Sequence, residues 1–121
     1  MTRPAALALS VLLLLPALVL AQTKGDPTKG KGVFMKNCMV CHNPDGSGGK
    51  KLTANGNPSR DFRDAKFWAS RTDDQIRETI NKGVAKSGMV AWKGILKPQE
   101  IEDAMAYVKT FATKPGSPEK K

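Results

Sequence analysis

Two cysteines and one histidine stand together at Cys38-Met39-Val40-Cys41-His42, and they are the entire cysteine and histidine content of a 121-residue chain. No other feature limits the fold as strongly. Cysteines three apart on a helix project from one face, so both sulfurs reach the same object, and the imidazole of the next residue lies on that side as well. A structural zinc ion takes four ligands, and the chain has two Cys and one His. A redox disulfide normally sits on a strand-rich βαβ scaffold, and no segment here alternates with period two. A plain structural disulfide leaves the position of the only histidine without a reason.

The C-x-x-C-H pattern reads as covalent haem attachment. Each sulfur forms a thioether with a haem vinyl group, and His42 puts a ring nitrogen on the iron. One haem c, attached through Cys38 and Cys41, is the expected cofactor. No second histidine exists for the other axial position, so methionine leads, since a His/Met pair holds haem iron and raises its potential. Met35 and Met39 lie on the attachment helix, too close to His42 to reach the opposite face. Met105 falls on an apolar helical stripe, where methionine is more often core. Met89 stands in a loop, Gly88-Met89-Val90-Ala91-Trp92, able to swing its thioether over the open face. The expected iron ligands are therefore His42 and Met89, with Met105 as the alternative.

The rest of the chain is organised around that motif. Met1 to Pro4 is short and basic, Ala5 to Leu20 is apolar apart from Ser10, and Ala21-Gln22 begins a polar, lysine-rich stretch. This is the layout of a secretory signal, with Val19 and Ala21 flanking the cut. The apolar run is short of the roughly 20 residues of a spanning helix, though a retained anchor is the alternative. The expected divisions are a cleaved signal over 1–21, a polar lead-in over 22–27, one domain over 28–113 and a flexible basic tail over 114–121. A domain of that size gains from a cofactor that fills its core.

Three main helices are expected, joined by two loops, in an all-α fold. Thr28 is the expected cap of the first, with Gly30, Phe34, Cys38 and Cys41 on one face. Residues 43–61 are rich in Gly, Asn, Ser and Pro, a loop long enough to need a reason such as wrapping a ligand. A short turn over 64–69 places Phe67 and Trp68 inward. Thr72-Asp73-Asp74-Gln75 is a capping box that opens a helix with Ile76, Ile80 and Val84 on one side, ending near Gly83. Pro98 opens the last helix, whose Ile101, Ala104, Met105, Val108 and Ala112 repeat at buried spacing.

Lys29-Gly30-Lys31-Gly32-Val33-Phe34, followed by the Cys38–His42 motif, resembles the opening helix of class I cytochromes c. Gly88-Met89-Val90-Ala91-Trp92 resembles the family's Met-Pro-Ala-aromatic ligand loop, and Ile101 through Val108 its closing helix. The resemblance runs from about Pro27 to Phe111. It implies a cytochrome c fold whose first and last helices cross closely, with Gly30 permitting the approach and Phe34 packing on Tyr107. It also implies that Leu52, Phe62, Phe67 and Trp68 line the haem. Two departures stand out. Val90 replaces the proline that often follows the ligand methionine, which predicts a less rigid loop. The proline whose carbonyl commonly meets the haem histidine has no evident counterpart, Pro44 being too near and Pro58 too far, so the group that orients His42 stays open.

Twenty Lys and Arg against eleven Asp and Glu give a net charge of +9. Such a surface is drawn to acidic partners or anionic membranes, more weakly as salt rises. No nucleic-acid-binding signature is present, and the lysines are spread along the chain. The expectation is a monomeric, periplasmic, non-enzymatic one-electron carrier. It would dock transiently on acidic redox proteins or membrane respiratory complexes through Lys31, Lys36, Lys50, Lys51, Lys86 and Lys93, touching membrane only peripherally unless residues 5–20 are retained. The alternatives are a tethered or subunit cytochrome serving one enzyme, and a ligand-sensing haem protein with a labile sixth position.

Overall fold

The structure, a computed structural model, describes residues 23–112. The expected signal over 1–21 and tail over 114–121 lie outside them. Helix α1 spans Pro27–Asn37 and is capped by Asp26, whose carboxylate accepts from the Thr28 amide at 2.8 Å, with Pro27 at the first position. The cap is thus two residues ahead of the expected Thr28, because Asp-Pro supplies both an acceptor and a preset φ. The helix also breaks sooner than its apolar spacing suggests. A separate turn, α2, spans Met39–His42, and Cys38 lies at the junction.

Helix α3 spans Ala65–Ala69, capped by Asp64, and α4 spans Asp73–Lys82. The capping box forms as its sequence indicates: Thr72 Oγ1 accepts from the Gln75 amide at 3.2 Å, and Gln75 Oε1 from the Thr72 amide at 3.0 Å. Gly83 ends α4 at φ 67°, ψ −173°. A 3-10 turn follows at Ala85–Ser87, then α5 spans Pro98–Lys109, with Glu100 accepting from the Lys97 amide at 2.8 Å. Among the described residues the only strand-like pairings are isolated bridges, Val84 with Met89 and Lys93 with Leu96. The fold is all-α, and among the same residues no helix is long and apolar enough to cross a membrane.

Helices α1 and α5 cross at van der Waals contact. A side chain at Gly30 would overlap the Asp103 carbonyl, so the crossing needs glycine there. Fully buried Phe34 packs its ring 5.4 Å from Tyr107 and 5.4 Å from Phe111, centroid to centroid. Asp103, 4% exposed, ties the entry of α1 to α5 by accepting from the Asp26 amide at 2.8 Å and from Gln99 Nε2 at 2.9 Å. A second cluster of Ile76, Ile101 and Met105, flanked by Trp68, Ile80 and Leu96, joins α4 to α5. Arg77 reinforces that joint by pairing with Glu102 of α5, while it also pairs with Asp74 on its own helix. This frame leaves the two long connections, after His42 and after Gly83, to build the site.

Candidate functional site

Cys38, Cys41 and His42 sit at the end of the α1–α2 unit. Their main chain is held by bonds from the Cys41 and His42 amides to the Cys38 carbonyl, at 3.2 and 3.0 Å. Neither cysteine is in a disulfide, and both are partly exposed. Burial first, and then the neighbouring Cys41, push the Cys38 thiol up to about 11. Burial pushes the His42 pKa down, partly offset by its backbone hydrogen bond, which favours the neutral imidazole that binds a metal.

The connection after His42 folds back on the motif. His42 Nδ1 lies 3.2 Å from the Arg60 carbonyl, which fixes the tautomer with the proton on Nδ1 and leaves Nε2 as the donor atom. Arg60 is placed by its neighbour. The Ser59 hydroxyl donates to the Cys41 carbonyl at 2.6 Å and accepts from the Lys50 amide at 3.1 Å. Ser59 also pairs through its main chain, with its amide donating to Lys50 and its carbonyl accepting from Gly49. Gly48 makes room, because a side chain there would overlap the Arg60 carbonyl. On the imidazole's flank the Phe62 ring stacks at 4.4 Å and 21°. Phe62 is steadied in turn by Trp68, whose Nε1 donates to its carbonyl at 2.7 Å.

Met89 is half-buried in the connection after α4. Its amide and carbonyl both pair with Val84, at 3.2 and 2.9 Å. The two connections meet: Leu52, two residues beyond Lys50, packs against Gly88, and Gly56 lies under the Lys86 carbonyl. The loop after His42 and the loop that carries Met89 therefore touch through residues 52–56 and 86–88. Met105, the alternative ligand, is 3% exposed in the α4–α5 core. Of the expected lining residues, Phe62, Phe67 and Trp68 form a ring cluster with centroids 5.1–6.1 Å apart, whereas Leu52 is 50% exposed.

Sequence reasoning did not find Arg60, Ser59 or Gly48. A backbone carbonyl has no residue signature, so nothing at Arg60 announced its part. Gly48 carried a faint signal as one of several glycines in the loop, but nothing in the sequence said which carbonyl it faced.

The donor set fits covalent haem. Two cysteine sulfurs stand three residues apart at one short turn, outside any disulfide, and an imidazole keeps Nε2 available because Nδ1 is engaged. Among the described residues no group of three or more His, Cys, Asp or Glu side chains is clustered for a simple metal ion.

Comparison with known proteins agrees with that fit. The family model for Cytochrome c matches residues 27–112. The chain is 34% identical over 83 residues to Cytochrome c6 of Nostoc sp., covering 69% of this chain and 68% of that protein. It is 34% identical over 84 residues to the Cbb3-type cytochrome c oxidase subunit FixP of Bradyrhizobium diazoefficiens, of which it spans 27%. Among solved structures, Cytochrome c6 from the diatom Phaeodactylum tricornutum aligns with a TM-score of 0.53 at 28% identity, over 74% of this chain and 97% of the other. With haem c bound covalently through Cys38 and Cys41, the chain is a haem electron carrier and belongs to the cytochrome c family.

Proposed function

We propose that the protein is an exported, diffusible one-electron carrier of the periplasm whose iron is held by His42 Nε2 and Met89 Sδ, and that it performs no chemistry on a substrate. When bound, the haem supplies a single-electron Fe(III)/Fe(II) couple. The rest is the work of this chain's own side chains. His42 is oriented by the Arg60 carbonyl, which raises its basicity toward the metal. Among the described residues Met89 is the one methionine that lies in a loop rather than in or beside a helix already committed to the attachment motif or the core. As a ligand, the Met89 thioether would favour the reduced state and would keep small ligands off the iron.

The observation that carries the reading is the surface where the two connections meet. Val40, Leu52 and Val90 are 63, 50 and 55% exposed. Lys50 donates to the Val40 carbonyl, Leu52 lies against Gly88, and Val90 follows Met89, so these exposed apolar residues belong to the attachment turn and to the two loops that adjoin it. Lys31, Lys36, Lys50, Lys51, Lys86 and Lys93 are all exposed. Exposed apolar side chains together with exposed lysines suit brief contact with acidic redox proteins or respiratory complexes. The likeness to a segment of FixP supports the second reading, a cytochrome dedicated to one redox enzyme as a subunit or tethered partner.

The test is oxidation of the reduced holoprotein by small complexes of opposite charge at rising ionic strength. A carrier with a basic exit face loses rate with the anionic oxidant and gains it with the cationic one as salt screens the charge, on the scale of the ~10 Å Debye length at 0.1 M. Rates insensitive to salt with both oxidants contradict the docking face.

A further inference from the structure

The ligand loop lacks the proline that would stiffen it, and the chain has no proline at all between Pro58 and Pro98. Its main chain is nevertheless closed at several points. Val84 and Met89 exchange both amide-to-carbonyl bonds, at 2.9 Å from the Val84 amide and 3.2 Å from the Met89 amide, with the 3-10 turn Ala85–Ser87 enclosed between them. Beyond the loop, the Trp92 amide donates to the Ile80 carbonyl at 3.0 Å and the Lys93 amide to the Asn81 carbonyl at 3.3 Å, which lays residues 92–93 along the end of α4. Gly83 sits at the centre of this closure. Its φ of 67° and ψ of −173° fall in a region open essentially to glycine alone. A Cβ there would overlap the Met89 carbonyl and stand 2.7 Å from both the Ala91 nitrogen and the Val90 carbonyl carbon.

We propose that Gly83 is a positioning residue for Met89: by letting the chain pass against residues 89–91, it allows Val84 and Met89 to close a main-chain staple that replaces the missing proline in holding the thioether in place. This rests on the reading of Met89 as an iron ligand. Any side chain at position 83 forces residues 89–91 away from α4, and the Met89 sulfur moves with its backbone. The loop's rigidity then comes from hydrogen bonds and close packing rather than from the residue after the ligand. Val90 is thereby free to face solvent, where it is 55% exposed.

The experiment compares the ferric holoprotein as wild type, Gly83→Ala and Gly94→Ala, by its long-wavelength methionine-ligation band and by titration with imidazole. Gly94 is the control because it has a similar φ of 84° but no atom within 4 Å of a Cβ, so it carries the backbone strain without touching Met89. Gly83→Ala is expected to weaken the band and to raise the apparent imidazole affinity by roughly tenfold, as the fraction with Met89 released grows. Gly94→Ala should leave both near wild type. Equal behaviour of the two variants overturns the proposal while leaving Met89 ligation standing. A wild-type spectrum without the band overturns the ligation reading itself, and the proposal with it. Should Gly83→Ala fail to fold, amide exchange in the wild-type holoprotein decides. Val84 and Met89 amides protected as well as those of α4 support the staple, and exchange at the open-chain rate refutes it.

Discussion

Ser59 reaches two backbone groups with one hydroxyl, giving a bond to the Cys41 carbonyl and taking one from the Lys50 amide. Ser59→Ala removes both and leaves those groups without their partner, at a cost of about 1–3 kcal/mol in the free energy of unfolding. Chemical denaturation of the holoprotein measures it, and a change under 0.5 kcal/mol, roughly the scatter of neutral surface substitutions, contradicts the assigned part. Because Arg60 follows directly, the same variant should loosen the bond between His42 Nδ1 and the Arg60 carbonyl, and a less electron-rich imidazole should raise the reduction potential above that of wild type. The attachment motif itself was legible in the sequence because its chemistry is local: two sulfurs and an imidazole within five residues need no tertiary information. The second layer was not legible. The Arg60 carbonyl reaches His42 across 18 residues of loop, and a carbonyl looks the same on every residue.

The crossing of α1 and α5 depends on the absence of a side chain at Gly30. Gly30→Ala sets a methyl group on the Asp103 carbonyl, and the helices must separate or bend. The expected loss is about 1–3 kcal/mol, as for overpacking elsewhere, seen as an earlier urea midpoint. Unchanged stability contradicts the close crossing. The same joint makes stability depend on acid. Burial acts to raise the Asp103 pKa, but the bonds from the Asp26 amide and Gln99, with the charge of Lys29, together hold it below the ordinary value of 3.8. A carboxylate depressed on folding contributes stability that is present in full above its unfolded pKa. That contribution is lost as pH falls below about 3.8 and through the lower folded value. Asp103→Asn should flatten this part of the stability profile between pH 5 and pH 2, and an unaltered profile refutes the role. Helix periodicity and the capping box made α4 and α5 legible. The break at Cys38 was not, because the apolar spacing carries through it and only the turn at the attachment site interrupts the helix.

At the scale of the molecule, seven hydrophobic residues are buried among the described residues, six of them in two clusters of three, one at the α1–α5 crossing and one at the α4–α5 joint. That is a small core for a domain of this size, and the half-buried Phe62, Phe67 and Trp68 cluster is placed to be completed by a large apolar group. The chain made without attached haem, as Cys38→Ala with Cys41→Ala, should therefore lose most of its cooperative thermal transition, with Tm lower by about 10 °C or more. Circular dichroism on heating checks this, and a transition equal to that of the holoprotein contradicts it. The overall architecture was readable early because one motif fixes what the loops must wrap. How the loop after α4 is braced against the loop after His42 was not, since it rests on contacts such as Leu52 with Gly88 that no spacing encodes.

The most direct test of the account is the absorption spectrum of the matured protein, oxidised and reduced, for wild type and Met89→Ala. With His42 and Met89 on the iron, wild type gives a sharp low-spin reduced spectrum and the weak long-wavelength ferric band, and Met89→Ala loses that band. A band that survives in Met89→Ala, or a high-spin wild type, contradicts the ligation on which the electron-carrier reading is built.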